Sequence, residues 1–166
     1  MQDITFTLNG KRITVTVNPL SRLLDVLREE FGLTAVKEGC GEGECGACSV
    51  FKNGKLVNSC IVPMGTVQGV DIITLEGIRE TEEGKCIIDS FAESGAVQCG
   101  FCTPGMVMAS AALLRTIPKP DKNQIREALS GNLCRCTGYT MIITGIQLAA
   151  KRGEGIWQRV ISLKHL

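Results

Sequence analysis

The sequence predicts an α+β fold, with an N-terminal β-grasp sheet followed by a C-terminal bundle of four helices. Three observations support it. Apolar residues alternate with polar ones in the first half, recur with the helical period in the second, and eight of nine cysteines fall into two quartets. A chain of 166 residues suits one or two small domains. We expect domains at residues 1–78 and 79–151, followed by a tail at 152–166.

Two β-hairpins are predicted in the first half. Residues 4–8 and 13–17 alternate in polarity around Asn9-Gly10, and residues 49–52 and 55–58 flank Asn53-Gly54. Asn-Gly between alternating segments is the strongest short-range hairpin signal, because both residues accept the positive φ of a type I′ turn. Both pairs of segments are therefore expected to be antiparallel.

One helix and a last strand complete the predicted sheet domain. Ser21 is expected to cap a helix whose apolar face runs from Leu23 to Phe31, and Gly32 ends it. Residues 72–75 form an apolar strand. The order hairpin, helix, hairpin, strand is typical of a β-grasp sheet.

Four short helices are predicted in the second half. The first carries Ile87 and Phe91 on one face, and the second begins with Thr103 as its N-cap, before Pro104. Asp121 and Gln124 have the spacing of a capping box at the start of the third. Residues 142–150 form the fourth. We expect residues 81–84 to be a polar linker near the domain boundary.

Composition excludes several function classes. The net charge is +1, with 18 basic and 17 acidic side chains, so no nucleic-acid or acidic-lipid partner is indicated. No run approaches the roughly 18 apolar residues of a membrane span. The first residues lack a basic signal-peptide region, which predicts a cytoplasmic protein. Cytosolic thiols stay reduced, so metal binding explains nine cysteines better than disulfides do.

The spacing of the cysteines predicts two metal sites. The first quartet has the pattern C-x4-C-x2-C-x11-C, and the second joins a C-x2-C pair to a distant C-x-C pair. The first quartet is Cys40, Cys45, Cys48 and Cys60, and the second is Cys99, Cys102, Cys134 and Cys136. The opening C-x4-C-x2-C is the plant-type [2Fe–2S] spacing. Two such centres indicate electron transfer.

Glycines are interleaved with the first quartet, at Gly41, Gly43 and Gly46. They permit the sharp backbone turns that point N–H groups at an anionic cluster. The same letters formally match G-x-G-x-x-G, but a dinucleotide site requires that motif after a strand and before a helix. This segment follows a helix and leads into a strand, so we reject that interpretation.

Other uses of the cysteines remain open to test. Structural zinc is the main alternative, giving an interaction module, although the x4 spacing, dense glycines and single histidine weigh against it. A [4Fe–4S] site fits the thiolate count alone, and a free ferredoxin-like carrier is a third function. Cys86 has no partner and is expected to be an ordinary core or partly exposed thiol.

Three segments carry a resemblance to a known family, and they are GCGEGECGAC at 39–48, QCGFCTPGM at 98–106 and GNLCRCTGY at 131–139. They closely resemble the small iron–sulfur subunit of the molybdenum hydroxylases, the family of xanthine dehydrogenase, aldehyde oxidoreductase and carbon monoxide dehydrogenase. The resemblance spans about residues 3–151. It implies a plant-ferredoxin-like domain that holds a [2Fe–2S] cluster distal to molybdenum, and a helical domain that holds the proximal one.

The resemblance also implies roles and partners. The first quartet would bind the distal cluster and the second the proximal cluster, with Gln98 and Cys136 lying against the molybdopterin. A large subunit would bind the molybdenum cofactor, and a medium subunit FAD. Water supplies the oxygen inserted into the substrate, and the clusters relay electrons singly towards flavin or another acceptor. This chain would hold no substrate site and no catalytic residue.

Two points are left open by the resemblance. We expect a complex like xanthine dehydrogenase, with carbon monoxide dehydrogenase or aldehyde oxidoreductase as alternatives. The tail departs from the family pattern. Ile156, Val160 and Leu163 are spaced for an amphipathic helix that either folds back on the bundle or docks a partner.

Overall fold

The computed structural model describes residues 1–157, and the structural statements below concern that range. One mixed five-stranded sheet occupies the first 73 residues, and helices dominate the rest. The strands are β1 (Gln2–Leu8), β2 (Lys11–Val17), β3 (Ser49–Lys52), β4 (Lys55–Asn58) and β5 (Asp71–Ile73). The α-helices are α1 (Leu23–Glu29), α2 (Leu75–Ile78), α3 (Glu82–Glu93), α4 (Thr103–Leu114), α5 (Lys122–Ala128) and α6 (Thr140–Arg152).

Both predicted hairpins are confirmed. Leu8 pairs with Lys11, and Lys52 pairs with Lys55, so each turn has two residues. Asn9-Gly10 and Asn53-Gly54 all have positive φ, as a type I′ turn requires. The strand order is β2-β1-β5-β3-β4, with β1 and β5 parallel and the other pairs antiparallel.

Helix α1 packs on the sheet through Leu23, Leu24 and Leu27, all fully buried. The predicted Ser21 cap is wrong, because the N-cap position is Arg22 and no side chain caps the helix. Ser21 instead accepts a hydrogen bond at its carbonyl from Met64 N–H, at 2.9 Å. The backbone there is extended and bridges to residue 63, which places Ser21 one residue too early to cap α1.

The region after β5 differs from the sequence prediction. The predicted strand at 72–75 ends at Ile73, and Leu75 begins α2. The predicted linker at 81–84 is the start of α3. Thr81 is its N-cap and accepts from Gly84 N–H at 3.1 Å, and Glu83 is buried. The predicted linker is helical because Thr81 caps α3 and the first turn of that helix buries Glu83.

Helix α4 is the centre of the helical region. Nine of its twelve residues are buried, and it contacts α2, α3, α5 and α6. The helix begins at Thr103, with Cys102 as N-cap, so the predicted Thr103 cap is one residue late. The Asp121 and Gln124 capping box is confirmed, with both reciprocal hydrogen bonds present. Such all-round burial is typical of the middle helix of a packed group.

The two regions share packing. Phe51 of β3 is 1% exposed and belongs to the helical core rather than the core under α1. Near the end of the described chain, Trp157 is fully buried, and its indole N–H donates to Ala149 carbonyl at 3.2 Å. The tail therefore folds back on α6 as far as Trp157. Val160 and Leu163 lie outside the described residues. Within residues 1–157, no helix combines the length and apolarity of a membrane span.

Candidate metal centres

The first quartet lies on loops around the start of β3. Cys40 and Cys45 lie between α1 and β3, Cys48 directly precedes β3, and Cys60 lies in a 3-10 turn after β4. Ser59 fixes that turn to the loop, because its N–H and its hydroxyl both donate to Cys48 carbonyl, at 3.2 and 2.8 Å. Cys60 is thereby brought close to Cys48 and Cys40, although Cys40 is twenty residues away in the sequence.

Backbone N–H groups point at the sulfurs of this loop. Cys40 Sγ accepts from the N–H groups of Glu42 and Glu44, both at 3.3 Å, and Cys45 Sγ accepts from Cys40 N–H at 3.4 Å. These donors, Glu42 first, lower the pKa of the Cys40 thiol to about 7. Burial and then the neighbouring Cys48 raise the pKa of Cys60 to about 11. The loop therefore stabilises negative charge on sulfur at its exposed end.

The second quartet lies at one end of the helical region. Cys99 and Cys102 precede α4, and Cys134 and Cys136 precede α6. The Sγ atoms of Cys136 and Cys99 are 3.6 Å apart. Burial and then the neighbouring Cys134 raise the pKa of Cys102 to about 12. The distant C-x2-C and C-x-C motifs thus come together, as their spacing predicts.

Hydrogen bonds hold the loop around Cys134 in place. Burial opposes ionisation of its thiol, yet hydrogen bonds from the hydroxyl and N–H of Thr137, from Cys136 N–H and from Cys102 together outweigh burial and lower the pKa to about 7. The Thr137 hydroxyl is 3.1 Å from Cys134 Sγ. The Tyr139 hydroxyl accepts from Cys134 N–H at 2.9 Å and lies 3.4 Å from Asn132 carbonyl. Tyr139 itself has φ +69°, a strained value for a residue with a Cβ.

The thiols of each quartet interact in pairs. Cys40 interacts with Cys45 and Cys60 with Cys48, while Cys102 interacts with Cys134 and Cys136 with Cys99. No three His, Cys, Asp or Glu side chains in residues 1–157 gather around one point as a single metal ion requires. A [2Fe–2S] cluster divides four ligands between two irons. The paired soft thiols and the N–H donors fit such a cluster.

A backbone junction joins the two cysteine loops. Leu133 N–H donates to Cys45 carbonyl at 2.9 Å, and the buried Asn132 amide donates to Gly46 carbonyl at 3.1 Å. A methyl group on Gly105 of α4 would overlap that same Gly46 carbonyl oxygen. Contacts at Cys45 and Gly46 therefore hold the two loops together.

The other residues singled out in the sequence lie beside the two quartets, except Cys86, which lies in the core. Gln98 and Cys136 are exposed at the open edge of the second quartet. Gly41 and Gly43 have φ of +71° and +84°, and Gly43 N–H interacts with Cys60 sulfur. Cys86 is a buried thiol directed at a backbone carbonyl, so of its two predicted placements the core one is confirmed.

Sequence reasoning left Asn132, Thr137 and Gly105 without a role. All three occur inside the motif segments, next to the cysteines. An amide and a hydroxyl beside the cysteines of a predicted metal site are the signal that could have identified Asn132 and Thr137, because such groups bond loop carbonyls or sulfur. Their partners could not be named, since Asn132 and Gly46 are 86 residues apart.

Comparisons with known proteins agree with this geometry. Residues 6–65 match the model of a 2Fe-2S iron-sulfur cluster binding domain, and residues 74–147 match that of a [2Fe-2S] binding domain. The small FeS subunit of nicotinate dehydrogenase from Eubacterium barkeri is 50% identical over 149 residues, which cover 90% of this chain and 95% of that protein.

Two further proteins are similar over most of the chain. The xanthine dehydrogenase iron-sulfur-binding subunit of Escherichia coli O157:H7 is 46% identical over 147 residues, covering 86% of this chain and 91% of that one. In the crystal structure of quinoline 2-oxidoreductase from Pseudomonas putida 86, one chain matches with a TM-score of 0.85 and 42% identity. That match covers 92% of this chain and 98% of the other. The chain therefore belongs to the family of two-domain 2Fe-2S subunits that includes the small subunits of nicotinate and xanthine dehydrogenases.

Proposed function

We propose that this chain is the electron-transfer subunit of a molybdenum hydroxylase and holds two [2Fe–2S] clusters. The observation that carries the proposal is the pairing of eight thiols in two quartets, joined by the junction at Gly46. Each cluster, once bound, accepts and releases one electron at a time. Cys40, Cys45, Cys48 and Cys60 hold the cluster distal to molybdenum, and Cys99, Cys102, Cys134 and Cys136 hold the proximal one.

Hydrogen bonds to sulfur and the contacts between the two cysteine loops support an electron relay. The N–H groups of Glu42 and Glu44 stabilise negative charge at Cys40, and the Thr137 hydroxyl does the same at Cys134. The junction keeps the two quartets at a fixed separation. Because electron transfer depends steeply on distance, a rigid junction suits a relay.

The open edge of the second quartet is proposed to face the large molybdopterin subunit. Gln98, Cys99 and Cys136 are exposed there. Large apolar side chains in the same segments are also exposed, and they are Val97, Phe101, Leu133 and Met141. Exposed apolar groups beside a functional site are typical of a protein interface. Gln98 and Cys136 would then lie against the pterin, and a medium subunit would bind FAD.

The finer organisation is part of the proposal. Residues 1–78 form a β-grasp, plant-ferredoxin-like domain, residues 79–151 a four-helix [2Fe–2S] domain, and residues 152–166 a tail. The mixed strand order and the family matches at 6–65 and 74–147 support it. None of the nine cysteines, all of which lie in residues 1–157, forms a disulfide, which supports the cytoplasm as its compartment.

A substrate class follows from the relatives. Their names give nicotinate, xanthine and quinoline as substrates, all of which are nitrogen heterocycles. We propose that the complex hydroxylates a nitrogen heterocycle bound by the large subunit.

Metal analysis and EPR test the function. Chain purified anaerobically should hold about four iron and four acid-labile sulfide and show two [2Fe–2S] signals on reduction. One or two zinc ions without sulfide would instead identify a zinc-stabilised module. A coloured chain that remains alone when neighbouring gene products are co-expressed would identify a free carrier and contradict the subunit assignment.

A further inference from the structure

Backbone N–H groups reach sulfurs in both quartets, and the second quartet also has a side-chain hydroxyl at one of its sulfurs. In the first quartet the donors to Cys40 and Cys45 are backbone N–H groups. In the second, the Thr137 hydroxyl lies 3.1 Å from Cys134 Sγ. Among the hydrogen bonds described for residues 1–157, Thr137 is the one hydroxyl side chain that reaches a quartet sulfur. Among the described residues, only the second quartet therefore has a hydroxyl donor to sulfur that a side-chain substitution can remove.

The direction of this hydrogen bond follows from the neighbours of Thr137. Its oxygen already accepts from Tyr139 N–H at 3.2 Å, which leaves its own proton free to point elsewhere. A thiol that ligates iron is deprotonated and has no proton to give. The hydroxyl is therefore the donor and Cys134 sulfur the acceptor whenever the cluster is bound.

A donor to a ligating sulfur stabilises the more negative oxidation state. The oxidised cluster with four thiolates is already anionic, and reduction adds one electron while the hydroxyl keeps its proton. Hydrogen bonds to the sulfurs are among the levers that set cluster potentials. Bonds to a charged group are also stronger than neutral ones, so the reduced state gains more than the oxidised state.

We propose that Thr137 is a positioning residue that raises the reduction potential of the second [2Fe–2S] centre without affecting the first. The inference rests on the proposed function. Other contacts hold the loop, since the Tyr139 hydroxyl accepts from Cys134 N–H and Asn132 bonds the first loop. Removing the Thr137 hydroxyl should therefore leave the cysteines in place.

The test is an EPR-monitored redox titration of the full chain in its complex. Thr137→Val replaces the hydroxyl with a methyl group of similar size, and Thr137→Ser keeps the hydroxyl. We expect the valine variant to lower the reduction potential of the second centre. At a fixed solution potential, the ratio of oxidised to reduced second centre should then rise about tenfold. For a one-electron couple that is a shift of about 59 mV. The serine variant should match the wild type, and the first centre should not shift in any variant.

The possible results separate the two levels of the proposal. Two assembled centres with an unchanged second potential in Thr137→Val would overturn the role of Thr137 and leave the relay intact. If valine prevents assembly, Thr137→Ala gives the same comparison. Loss of the second centre in both, with retention in serine, would show that the hydroxyl serves assembly and not potential. Wild-type chain without two [2Fe–2S] signals would overturn the relay itself.

Discussion

Gly46 is the residue at which the first cysteine loop meets the second. It has φ +68°, is buried, and a methyl group there would overlap Asn132 Nδ2 and Gly131 carbonyl. A side chain is therefore excluded for two independent reasons, the backbone angle and the space. Gly54, in the second hairpin, has a similar φ of +76° but nothing within 4 Å of such a methyl group. The two glycines separate the effect of strain from that of contact.

Gly46→Ala is expected to damage the first centre, whereas Gly54→Ala is not. In both variants a residue with a Cβ must adopt a left-handed conformation, which costs about 1–2 kcal/mol. Only Gly46→Ala also pushes the loop away from Asn132, so it should lower the iron content and the thermal midpoint further. Iron assay and the EPR signal of the first centre measure this. Equal iron content in the two variants would show that the junction does not matter for assembly.

Cys136→Ala is expected to remove the second centre and leave the first. One lost thiolate ligand leaves that cluster incomplete, so iron should fall by roughly half and one EPR signal should disappear. Electron flow to the natural acceptor should stop. The control is Cys86→Ala, which removes a buried thiol outside both quartets and should retain all the iron. Turnover that survives Cys136→Ala would contradict the assignment of this centre.

At the scale of elements, both hairpin turns and one helix start were predicted correctly, whereas the starts of α1 and α4 were each misplaced by one residue. Asn9-Gly10, Asn53-Gly54 and the Asp121 capping box are set by neighbours in the sequence, and the structure confirms them. The predicted Ser21 cap is wrong because Arg22 forms a β-bridge with Pro63, and α1 begins one residue later than a cap at Ser21 requires. Turn chemistry depends on adjacent residues alone, while a helix start also depends on what the chain packs against.

The ion pair between Glu83 and Arg115 connects three elements. Glu83 lies in the first turn of α3, Arg115 follows α4, and both side chains are at most 10% exposed. The Arg115 guanidinium also lies 4.3 Å from the centre of the Phe51 ring of β3. The sequence placed Glu83 in a solvated linker, because nothing local shows a partner 32 residues away. This contact fixes the helices to the sheet.

Arg115→Met is expected to be strongly destabilising. It leaves the Glu83 carboxylate buried without its partner, which typically costs about 3–5 kcal/mol. The double variant Glu83→Gln with Arg115→Met should recover part of the loss, because it removes the buried charge. Lys119→Met is the control, since its pair with Glu154 is more than half exposed and worth about 1 kcal/mol or less. Thermal midpoints at one scan rate give the order. A loss equal to that of Lys119→Met would mean that the buried pair contributes nothing.

For the whole molecule, the sequence predicted two quartets of cysteines but not the connection between them. Cysteine spacing can be read from the sequence alone, and it predicted which thiols lie near one another in each quartet. The junction of Asn132, Leu133 and Gly46 depends on how two loops meet in space, which spacing does not encode. With Phe51 placed in the helical core, that junction makes the sheet and the helices one packed body.

A single packed body is expected to unfold in a single transition. Far-UV circular dichroism and visible cluster absorbance should therefore lose signal at the same temperature. Phe51→Ala should lower both midpoints together by removing about 3–5 kcal/mol of packing from the shared core. The matched control is Phe31→Ala, whose half-buried ring packs edge-on against Phe6 and touches the sheet core alone, so its loss should be smaller. Separate transitions for the two probes, or a Phe51→Ala effect confined to one of them, would show that the sheet and the helices are independent units joined only by the chain.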